Sequence, residues 1–286
     1  MSYFLVVRNI RIQHANALAS NYAISTAPVM ALNLFAHNLG LKIFNPVIGI
    51  GIIHHDAQIL GELGDGFHRA SLQQRKAATL IDGNDYISSS MTLSLQPTAT
   101  AHLRLSLVVE LEYQPSVADV EDFLRNARIA GGRVESFDYV GFAHSDSDDL
   151  DDLLPASGWW LIDREDLMRR HANPAQAMVD ALGRVPIEMP HEELAASAEL
   201  HAEEEEASGN LNWLVPTVLG YAATCDFDKR TGVRMLGTGE FPVHAYAEPL
   251  LGLAQYVSIR ERSAAALPIW RTEWITDDVF VTRCNP

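Results

Sequence analysis

The sequence predicts an α+β fold with a ferredoxin-like βαββαβ core, an inserted thumb and a mixed C-terminal extension. Segments rich in β-branched residues alternate with helix signals over residues 3–140, in the order that this core requires. A glycine-rich stretch of different composition, at about 57–99, interrupts that order. We therefore expect a core with its thumb over 1–143, an acidic loop and helical excursion over 144–209, and C-terminal strands over 210–286 that complete the core.

The first βαβ unit is predicted from its hydrophobic pattern. Residues 3–13 are β-branched and aromatic, which is typical of a strand. Pro28 then opens a helix whose apolar residues share one face, namely Val29, Leu32, Phe35, Ala36 and Leu39. Asn45-Pro46 ends this helix, and residues 47–53 form the second strand.

The second half of the core follows the insertion, in which we expect helix around 70–81. Residues 100–113 alternate between apolar and polar side chains and predict the third strand. Ser116 is a predicted N-cap for a helix over 117–127. A turn at Gly131-Gly132 then leads into the fourth strand. RNA-recognition modules use the same order of elements, so the predicted core is RRM-like.

The rest of the chain alternates acidic stretches with ordered segments. Residues 145–152 (SDSDDLDD) are interpreted as a solvated linker. Residues 158–168 predict a strand that enters a helix, and Asn173-Pro174 starts a further helix. A second acidic stretch, at 187–209, is expected to be exposed.

The charge of the chain is strongly uneven. The formal net charge is −16, which argues against nucleic acid because phosphate binding is mainly electrostatic. Residues 144–206, however, hold four Lys or Arg against seventeen Asp or Glu, so this segment carries most of the excess. The remainder is close to neutral and has room for a local basic groove.

Compartment and membrane association are predicted from absent signals. The sequence has no apolar run of the roughly 18 residues that a membrane span needs, and its start lacks the layout of a signal peptide. Its two cysteines, Cys225 and Cys284, form no disulfide framework. We therefore expect a cytoplasmic protein that does not bind membranes.

Histidines are the candidates for metal binding or catalysis. His54-His55-Asp56 supplies ligand types for a metal ion, but neighbouring strand residues point to opposite faces, so we expect no metal site. No GxSxG motif is present, and neither cysteine has a recognisable base motif beside it. His14, His37 and His55 remain candidates for acid–base chemistry of the kind that metal-free ribonucleases use.

Glycines beside arginines suggest phosphate binding. Gly131-Gly132 lies between Arg128 and Arg133, and glycines let backbone N–H groups approach a phosphate while arginines add bidentate donors. A simple helix C-cap explains the two glycines equally well. Amides and cations also cluster at two other places, and such groups suit single-stranded RNA. These clusters are Arg11, Gln13, His14 and Asn16, and Arg69, Gln73, Gln74, Arg75 and Lys76.

Blocks of sequence along nearly the whole chain resemble one family. They are RNIRIQHANAL at 8–18, the helix after Pro28, GIGIIHHDAQ at 49–58, RIAGG at 128–132, GWWLIDREDLM at 158–168, WLVPTVLGYAA at 213–223 and HAYAEPLLGLAQYVSI at 244–259. In this order and spacing the chain resembles the Cas-five-type (Csy-two) subunits of type I-F CRISPR surveillance complexes.

The resemblance implies a non-catalytic subunit without metal or cofactor, which caps the 5′ handle of the CRISPR RNA. It implies pairing with the large subunit, a position beside the first backbone subunit, and target DNA as an open further partner. The family's RNA contacts come from the core sheet, the glycine-rich turn and the thumb. On this sequence the expected RNA-binding residues are Arg11, Gln13, His14, Asn16, His55, Arg69, Gln74, Arg75, Lys76, Arg128, Gly131, Gly132 and Arg133.

Two other functions remain open at this point. One is a metal-free CRISPR endoribonuclease that processes precursor RNA with His14 or His55 as general acid or base. The other is a protein-only scaffold anchored by aromatic residues. Its anchors would be Trp159, Trp160, Trp270 and Trp274, which are equally explained as core residues.

Overall fold

The computed structural model describes most of the chain. The described residues are 2–20, 23–64, 67–69, 73–76, 95–147, 149–182, 212–229, 242–261 and 267–285. Within them the protein is α+β with a mostly antiparallel sheet. No helix among these residues combines the length and apolar character needed to cross a membrane.

Strands predominate among the described elements. They are β1 Tyr3–Asn16, β2 Leu18–Ser20, β3 Ala23–Ile24, β4 Val47–Ile59, β5 Glu62–Gly64, β6 Phe67–Arg69, β7 Gln73–Lys76, β8 Leu95–Thr98, β9 Thr100–Leu111, β10 Arg128–Ile129, β11 Gly132–Ser136, β12 Tyr139–His144, β13 Trp159–Asp163, β14 Leu214–Ala223, β15 Asp228–Lys229, β16 Val243–His244, β17 Ala247–Ser258, β18 Ile269–Thr276 and β19 Val279–Asn285. The helices are α1 Val29–Ile43, α2 Val117–Arg125, α3 Leu150–Leu153, α4 Glu165–Met168 and α5 Pro174–Leu182.

The predicted helices of the core are confirmed, together with the signals that start and end them. Pro28 is the N-cap of α1, and Phe44 ends the helix in the left-handed conformation. The Phe44 N–H donates to the carbonyl of Gly40, which satisfies one of the last helical acceptors. Ser116 caps α2 as predicted, because its hydroxyl accepts the N–H of Asp119 at 3.4 Å.

The order of strands in the sheet follows from their pairing with β1 and β9. β1 pairs with β9 on one edge and with β11 and β12 on the other, and β9 pairs with β4. All of these pairs are antiparallel. The strands of the predicted core, numbered by their position in the chain, therefore lie side by side in the order fourth, first, third and second.

The C-terminal strands form a ring with β4. From β4 the pairing runs through β13, β17, β14, β19 and β18, and β18 returns to β4. Ile50 pairs with Trp270 of β18, and Ile53 pairs with Trp160 of β13, so both strands use the same edge of β4. Trp160 and Trp270 are buried, and the indole N–H of Trp270 donates to the carbonyl of Leu161 at 2.9 Å.

The two faces of the sheet are covered differently. Leu5, Val7, Ile10 and Ile12 of β1 belong to the main core together with residues of α1 and α2. Val6 belongs to a smaller core on the opposite side of the sheet, with Val108, Ile53, Trp160 and Leu150. Because side chains alternate along a strand, the polar residues that alternate with the main core point to this second face.

Three expectations need correction or fall outside the described residues. Gln73–Lys76 is a strand paired with β8, where we expected helix. The acidic stretch at 145–152 is more than a solvated linker, because it enters α3 and Leu150 is buried in the smaller core. The second acidic stretch, at 187–209, lies outside the described residues, which stop at 182 and resume at 212.

Candidate nucleic-acid interface

The candidate site is the sheet surface opposite α1 and α2, which we call the distal face. It is defined by Arg8, Arg11, Gln13, Arg104 and Arg133, which alternate with buried residues of β1, β9 and β11. Backbone irregularities at Asn9 and His14, both with positive φ, interrupt the pairing of β1 with β9. These two bulges keep Arg11 and Gln13 on the distal face between the buried Ile10 and Ala15.

Two arginines are neighbours across the central strands of this face. Arg11 of β1 and Arg104 of β9 are register partners, and both are exposed. Within the described part of the chain, neither forms an ion pair, although Arg104 has the exposed Asp56 of β4 as its register partner on the other side. Like charges that face each other directly across a strand pair are destabilising. The arrangement therefore favours binding of an anion between them.

The glycine-rich turn is a tight hairpin beside this pair. Ala130 and Gly131 have φ of 47° and 77°, as the two central residues of a type I′ turn do. Arg128 pairs with Arg133 across the hairpin, and Arg133 pairs with Gln13 of β1. The alternative of a helix C-cap is wrong, because α2 already ends at Arg125. The turn thus places Arg133 at the edge of the distal face, whereas Arg128 donates to the Gly131 carbonyl at 3.2 Å and lines a cavity with residues of α1 and α2.

Gly132 is required by close packing. A Cβ atom there would lie 2.6 Å from the backbone nitrogen of Ala15 and 2.7 Å from the carbonyl oxygen of Gln13. The Asn16 N–H also donates to the Ala130 carbonyl at 2.8 Å, which fixes the hairpin on β1. At Gly131, by contrast, a Cβ atom would have no atom of the described residues within 4 Å, so that residue has open space in front of it.

His14 and Asn16 are exposed, but the structure gives them different surroundings. The His14 backbone N–H donates to His102 Nδ1 at 3.3 Å. The two imidazole rings pack edge to face, with their centroids 4.9 Å apart. Asn16 uses its side chain locally, because its amide donates to the Leu18 carbonyl and accepts the Leu18 N–H. His14 is thus a ring on the distal face, while the amide of Asn16 orders the end of β1.

His55 is held by hydrogen bonds on both sides of its ring. Ser106 Oγ accepts the Asn9 N–H at 3.0 Å and forms a second hydrogen bond with His55 Nε2, 2.7 Å away. The other ring nitrogen donates to the backbone carbonyl of Ser157. Burial, and then the charge of Arg104, lower the pKa of His55, and the bond to Ser157 opposes them. The ring is therefore a neutral, fixed part of the surface.

His54 points to the other side of the sheet. It is fully buried against Tyr256, with ring centroids 5.2 Å apart, and its Nε2 has no partner among the described residues. Burial, with a smaller contribution from His55, lowers its pKa to about 4. The described residues hold no group of three or more potential metal ligands, and His54 and His55 do not converge on one point.

The thumb residues cannot be related to this face. Arg69 lies in β6, and Gln74, Arg75 and Lys76 lie in β7, which pairs with β8. Their side chains lie outside the described part of the structure. His37, a further acid–base candidate, is exposed on α1, on the opposite side of the sheet from His14 and His55.

A cleft on the distal face contains residues that the sequence analysis missed. It has a volume of about 770 Å³, and we call it the central cleft. Its lining includes Arg8, Arg104, Arg260, Tyr139, Trp159 and His55. Arg104 lies within a regularly alternating strand, and only its register opposite Arg11 marks it as a site residue. Two lining residues were singled out in the sequence, namely His55 as an expected RNA contact and Trp159 only as a protein anchor.

The fold and this face define an α+β protein with an arginine-lined surface suited to a polyanion. Comparison with families of known proteins assigns it more closely: residues 5–280 match the model of the CRISPR-associated protein family Csy2. The chain belongs to this Csy2 family of CRISPR-associated proteins. No curated protein matches the chain.

Proposed function

We propose that this protein is a non-catalytic subunit of a type I-F CRISPR RNA-guided surveillance complex, in which it binds and caps the 5′ handle of the CRISPR RNA. Membership of the Csy2 family supports a role in CRISPR defence. The proposal extends this to RNA as the ligand and to the distal face as its binding surface.

The observation that carries the proposal is the pairing of Arg11 with Arg104. Two exposed guanidinium groups on adjacent strands repel each other in the free protein, and a phosphate between them relieves that repulsion. Arg133, the register partner of Gln13, continues the positive surface along the neighbouring hairpin. These arginines lie close together although the whole chain has a net charge of −16. The positive charge is therefore a local feature, which favours a specific polyanion site over general surface charge.

The strand order supports RNA in particular. The fourth, first, third and second strands lie side by side with two helices on one face, and this order supports a ferredoxin-like core. We propose that this core, with the insertion at about 57–99 as its thumb, presents its other face to RNA as RNA-recognition modules do. Gln13 and His14 on that face offer the amide and the ring that unstacked bases need.

The environment of His55 supports the non-catalytic part of the proposal. Both of its ring nitrogens are engaged in hydrogen bonds, and its lowered pKa keeps the ring neutral. A general acid must hold a proton that it can release to substrate. His55 is therefore poorly suited to that role, and no observation on the described residues favours cleavage by His14.

Exposed aromatic and aliphatic side chains support protein partners, which we propose are the large subunit and the adjacent backbone subunit in the cytoplasm. Trp274 is 58% exposed and contacts Phe280 of β19 and Phe227, which precedes β15. Phe44 and Leu41 are exposed at the end of α1. Interfaces between subunits are enriched in such residues.

The experiment is to co-express the tagged chain with its genomic neighbours and a repeat–spacer transcript, and to sequence the RNA that co-purifies. We expect one discrete RNA with a uniform, repeat-derived 5′ end. The double variant Arg11→Gln/Arg104→Gln should lose most of this RNA, because two phosphate-binding groups are removed. Arg125→Gln is the matched control, since Arg125 is an exposed arginine at the end of α2 that pairs with Glu121.

The outcomes distinguish the proposal from its alternatives. Complexes that assemble without RNA would support a protein-only scaffold. Equal RNA retention by the double variant and the Arg125→Gln control would remove the distal face from the proposal. Loss of RNA only in the double variant supports the distal face as the RNA-binding surface.

A further inference from the structure

We propose that one end of the C-terminal strands binds a basic segment of a protein partner, with an arginine of that segment stacked on Trp274 and its other cations beside the surrounding carboxylates. This surface, which we call the acidic tip, consists of residues 221–229, 242–250 and 272–280. The inference rests on the proposed function, since it requires an assembly subunit, and it names the surface and the chemistry of one protein contact.

The acidic tip extends beyond the ring of strands around β4. β13 pairs with β17 only along Ala254–Ser258, and β4 pairs with β18 only at Trp270. Within the described part of the chain, residues 271–276 of β18 therefore have only β19 beside them, and residues 247–252 of β17 have only β14. An open strand edge is a place where another chain can pair.

The three segments of the acidic tip form one surface. The Ala223 N–H donates to the Asp278 carbonyl at 2.7 Å, and the Thr224 N–H donates to the Tyr246 carbonyl at 2.8 Å. These bonds connect the end of β14 with the turn between β18 and β19 and with the start of β17. The aromatic rings and the carboxylates of the three segments therefore lie at the same end of the sheet.

Trp274 is the aromatic centre of this surface. Its ring centroid lies 5.2 Å from that of Phe280 and 6.1 Å from that of Phe227, which is itself 44% exposed. The ring of Trp274 is thus supported by two neighbours while more than half of the residue remains exposed. Tryptophan is enriched among the residues that dominate binding energy at protein interfaces, and it is the best ring for a cation.

The charge of the acidic tip selects the partner. Six exposed carboxylates face a single lysine, Lys229, and only Glu273 has a printed guanidinium partner, Arg283 at 3.0 Å. The intervening segment 230–241 adds two arginines and one glutamate, so the balance stays negative. Because potentials across an interface are complementary, the partner surface is rich in arginine or lysine. The six carboxylates are those of Asp226, Asp228, Glu248, Glu273, Asp277 and Asp278.

The same charge argues against three other occupants. An RNA strand carries phosphates that these carboxylates repel. A symmetric contact between two copies of the chain brings identical acidic surfaces together. The chain's own acidic stretch at 187–209 has the same sign of charge as the tip. A basic segment of a different protein is therefore the occupant that fits.

Arginine suits both features of the tip. Its guanidinium plane stacks on aromatic rings, and its N–H groups bond to carboxylates in a bidentate manner. The protein itself shows the stacking geometry elsewhere, since the Arg8 guanidinium lies 4.3 Å from the centre of the Tyr139 ring. We therefore expect an arginine of the partner over Trp274, with the carboxylates around it.

The test begins by locating the partner segment. Trp274 is replaced by the photo-crosslinker p-benzoylphenylalanine in the full chain, which is co-expressed with its genomic neighbours and a repeat–spacer transcript. After irradiation, mass spectrometry should identify one cross-linked segment of net positive charge in a co-expressed subunit. The same replacement at Trp213, which is 70% exposed just before the other end of β14, is the matched control and should not cross-link to that segment.

Affinity measurements then test the chemistry. Trp274→Ala should weaken binding of the cross-linked subunit by about 30-fold or more. The double variant Asp277→Lys/Asp278→Lys should also weaken binding, more strongly at low salt than at high salt. Changing the cross-linked basic residues of the partner to glutamate should restore binding to this double variant. Asp151→Lys/Asp152→Lys, which reverses two neighbouring exposed aspartates on α3, is the control and should change binding little.

The RNA that co-purifies is sequenced in every sample, so that the two proposals are tested separately. If RNA is retained and Trp274→Ala binds the partner as Trp213→Ala does, the inference about the acidic tip is overturned and the proposed function stands. A cross-link to a second copy of this chain, or to a segment without positive charge, also overturns the inference. If the wild-type chain retains neither RNA nor protein, the proposed function fails and this inference fails with it.

Discussion

Ser106 Oγ and His55 Nε2 lie 2.7 Å apart on neighbouring strands, and the same hydroxyl accepts the backbone N–H of Asn9. One buried hydroxyl therefore connects the bulge of β1 with the histidine of β4. Because Ser106 belongs to β9, its hydroxyl links three strands of the sheet that carries the distal face.

Ser106→Ala removes both bonds and leaves the Asn9 N–H without its partner. We expect the free energy of unfolding to fall by about 1–3 kcal/mol, the cost of a buried polar group that loses its hydrogen bond. Urea unfolding measures this directly. Ser136→Ala, at a half-buried position of β11, is the control and should change stability much less. Equal effects of the two changes would contradict a structural role for the Ser106 hydroxyl.

Arg11→Gln should stabilise the protein in the absence of RNA, because it removes the repulsion with Arg104 and leaves Arg104 its other register partner, Asp56. The gain in free energy of unfolding is expected to be about 0.2–1 kcal/mol. The same variant should bind RNA more weakly and should lower the salt dependence of binding by about one phosphate contact. Unfolding curves and binding titrations at several salt concentrations give the two values. A variant that is less stable and binds RNA normally would show that the two arginines do not repel.

The two glycines of the hairpin should respond differently to substitution. Gly132→Ala forces a Cβ into the backbone of β1 and should lower the free energy of unfolding by about 1–3 kcal/mol. Gly131→Asn should cost well under about 1 kcal/mol, since asparagine adopts positive φ readily and the position faces open space. Thermal or urea unfolding of both variants makes the comparison. The reverse order of stabilities would show that the hairpin does not pack on β1 as described.

His54 should make the stability of the protein sensitive to acid. Its pKa is about 4 in the folded protein and 6.5 in the unfolded chain, so only the unfolded chain binds the proton between these values. The free energy of unfolding contributed by His54 is complete above pH 6.5 and falls towards pH 4, by up to about 1.4 kcal/mol per pH unit. His54→Phe removes this dependence while it keeps a ring against Tyr256.

Asp163 acts in the opposite direction and must be separated from this effect. Its burial raises the pKa to about 6, so the folded protein takes up a proton that stabilises it as the pH falls from 6 towards 3.8. The informative quantity is therefore the difference in unfolding free energy between wild type and His54→Phe at each pH. The exposed His37→Gln serves as control. A difference that does not change between about pH 7 and about pH 4.5 would exclude His54 as the cause.

Substitution of the candidate catalytic histidines separates the proposed subunit from an endoribonuclease. His14→Gln and His55→Gln should leave the 5′ and 3′ ends of the co-purified RNA unchanged, because the proposed function assigns no cleavage to this chain. Sequencing the RNA ends checks this, with the precursor transcript as the size standard. Accumulation of uncleaved precursor with either variant, while binding is retained, would establish the enzyme instead.

The elements of the N-terminal half were predictable because their signals are local. Pro28 and Ser116 mark the starts of α1 and α2, β-branched and aromatic residues mark β1, and alternation marks β9. The pairing of Arg11 with Arg104 was not predictable, since register depends on bulges at Asn9 and His14 that no turn residue announces. A one-residue shift would have placed these side chains on opposite faces.

The ring of strands around β4 was even less predictable from the sequence. Trp270 pairs with Ile50 across most of the chain, and no local pattern encodes such a distant contact. The strand at 73–76 was missed because its partner, β8, lies beyond a long intervening segment. Tertiary pairing decided the structure of these residues against their local helix signals.

The ring of strands around β4 also determines when β4 can complete its pairing during translation. The edge of β4 around Ile50 meets its partner only after residue 270 has been translated, which takes roughly 10–40 s at about 5–20 residues per second. During that interval an apolar strand edge is without its final partner on the ribosome, and such edges are prone to aggregation. Slow expression at low temperature, or co-expression with a chaperone, should therefore improve the yield of this protein more than changes to its surface.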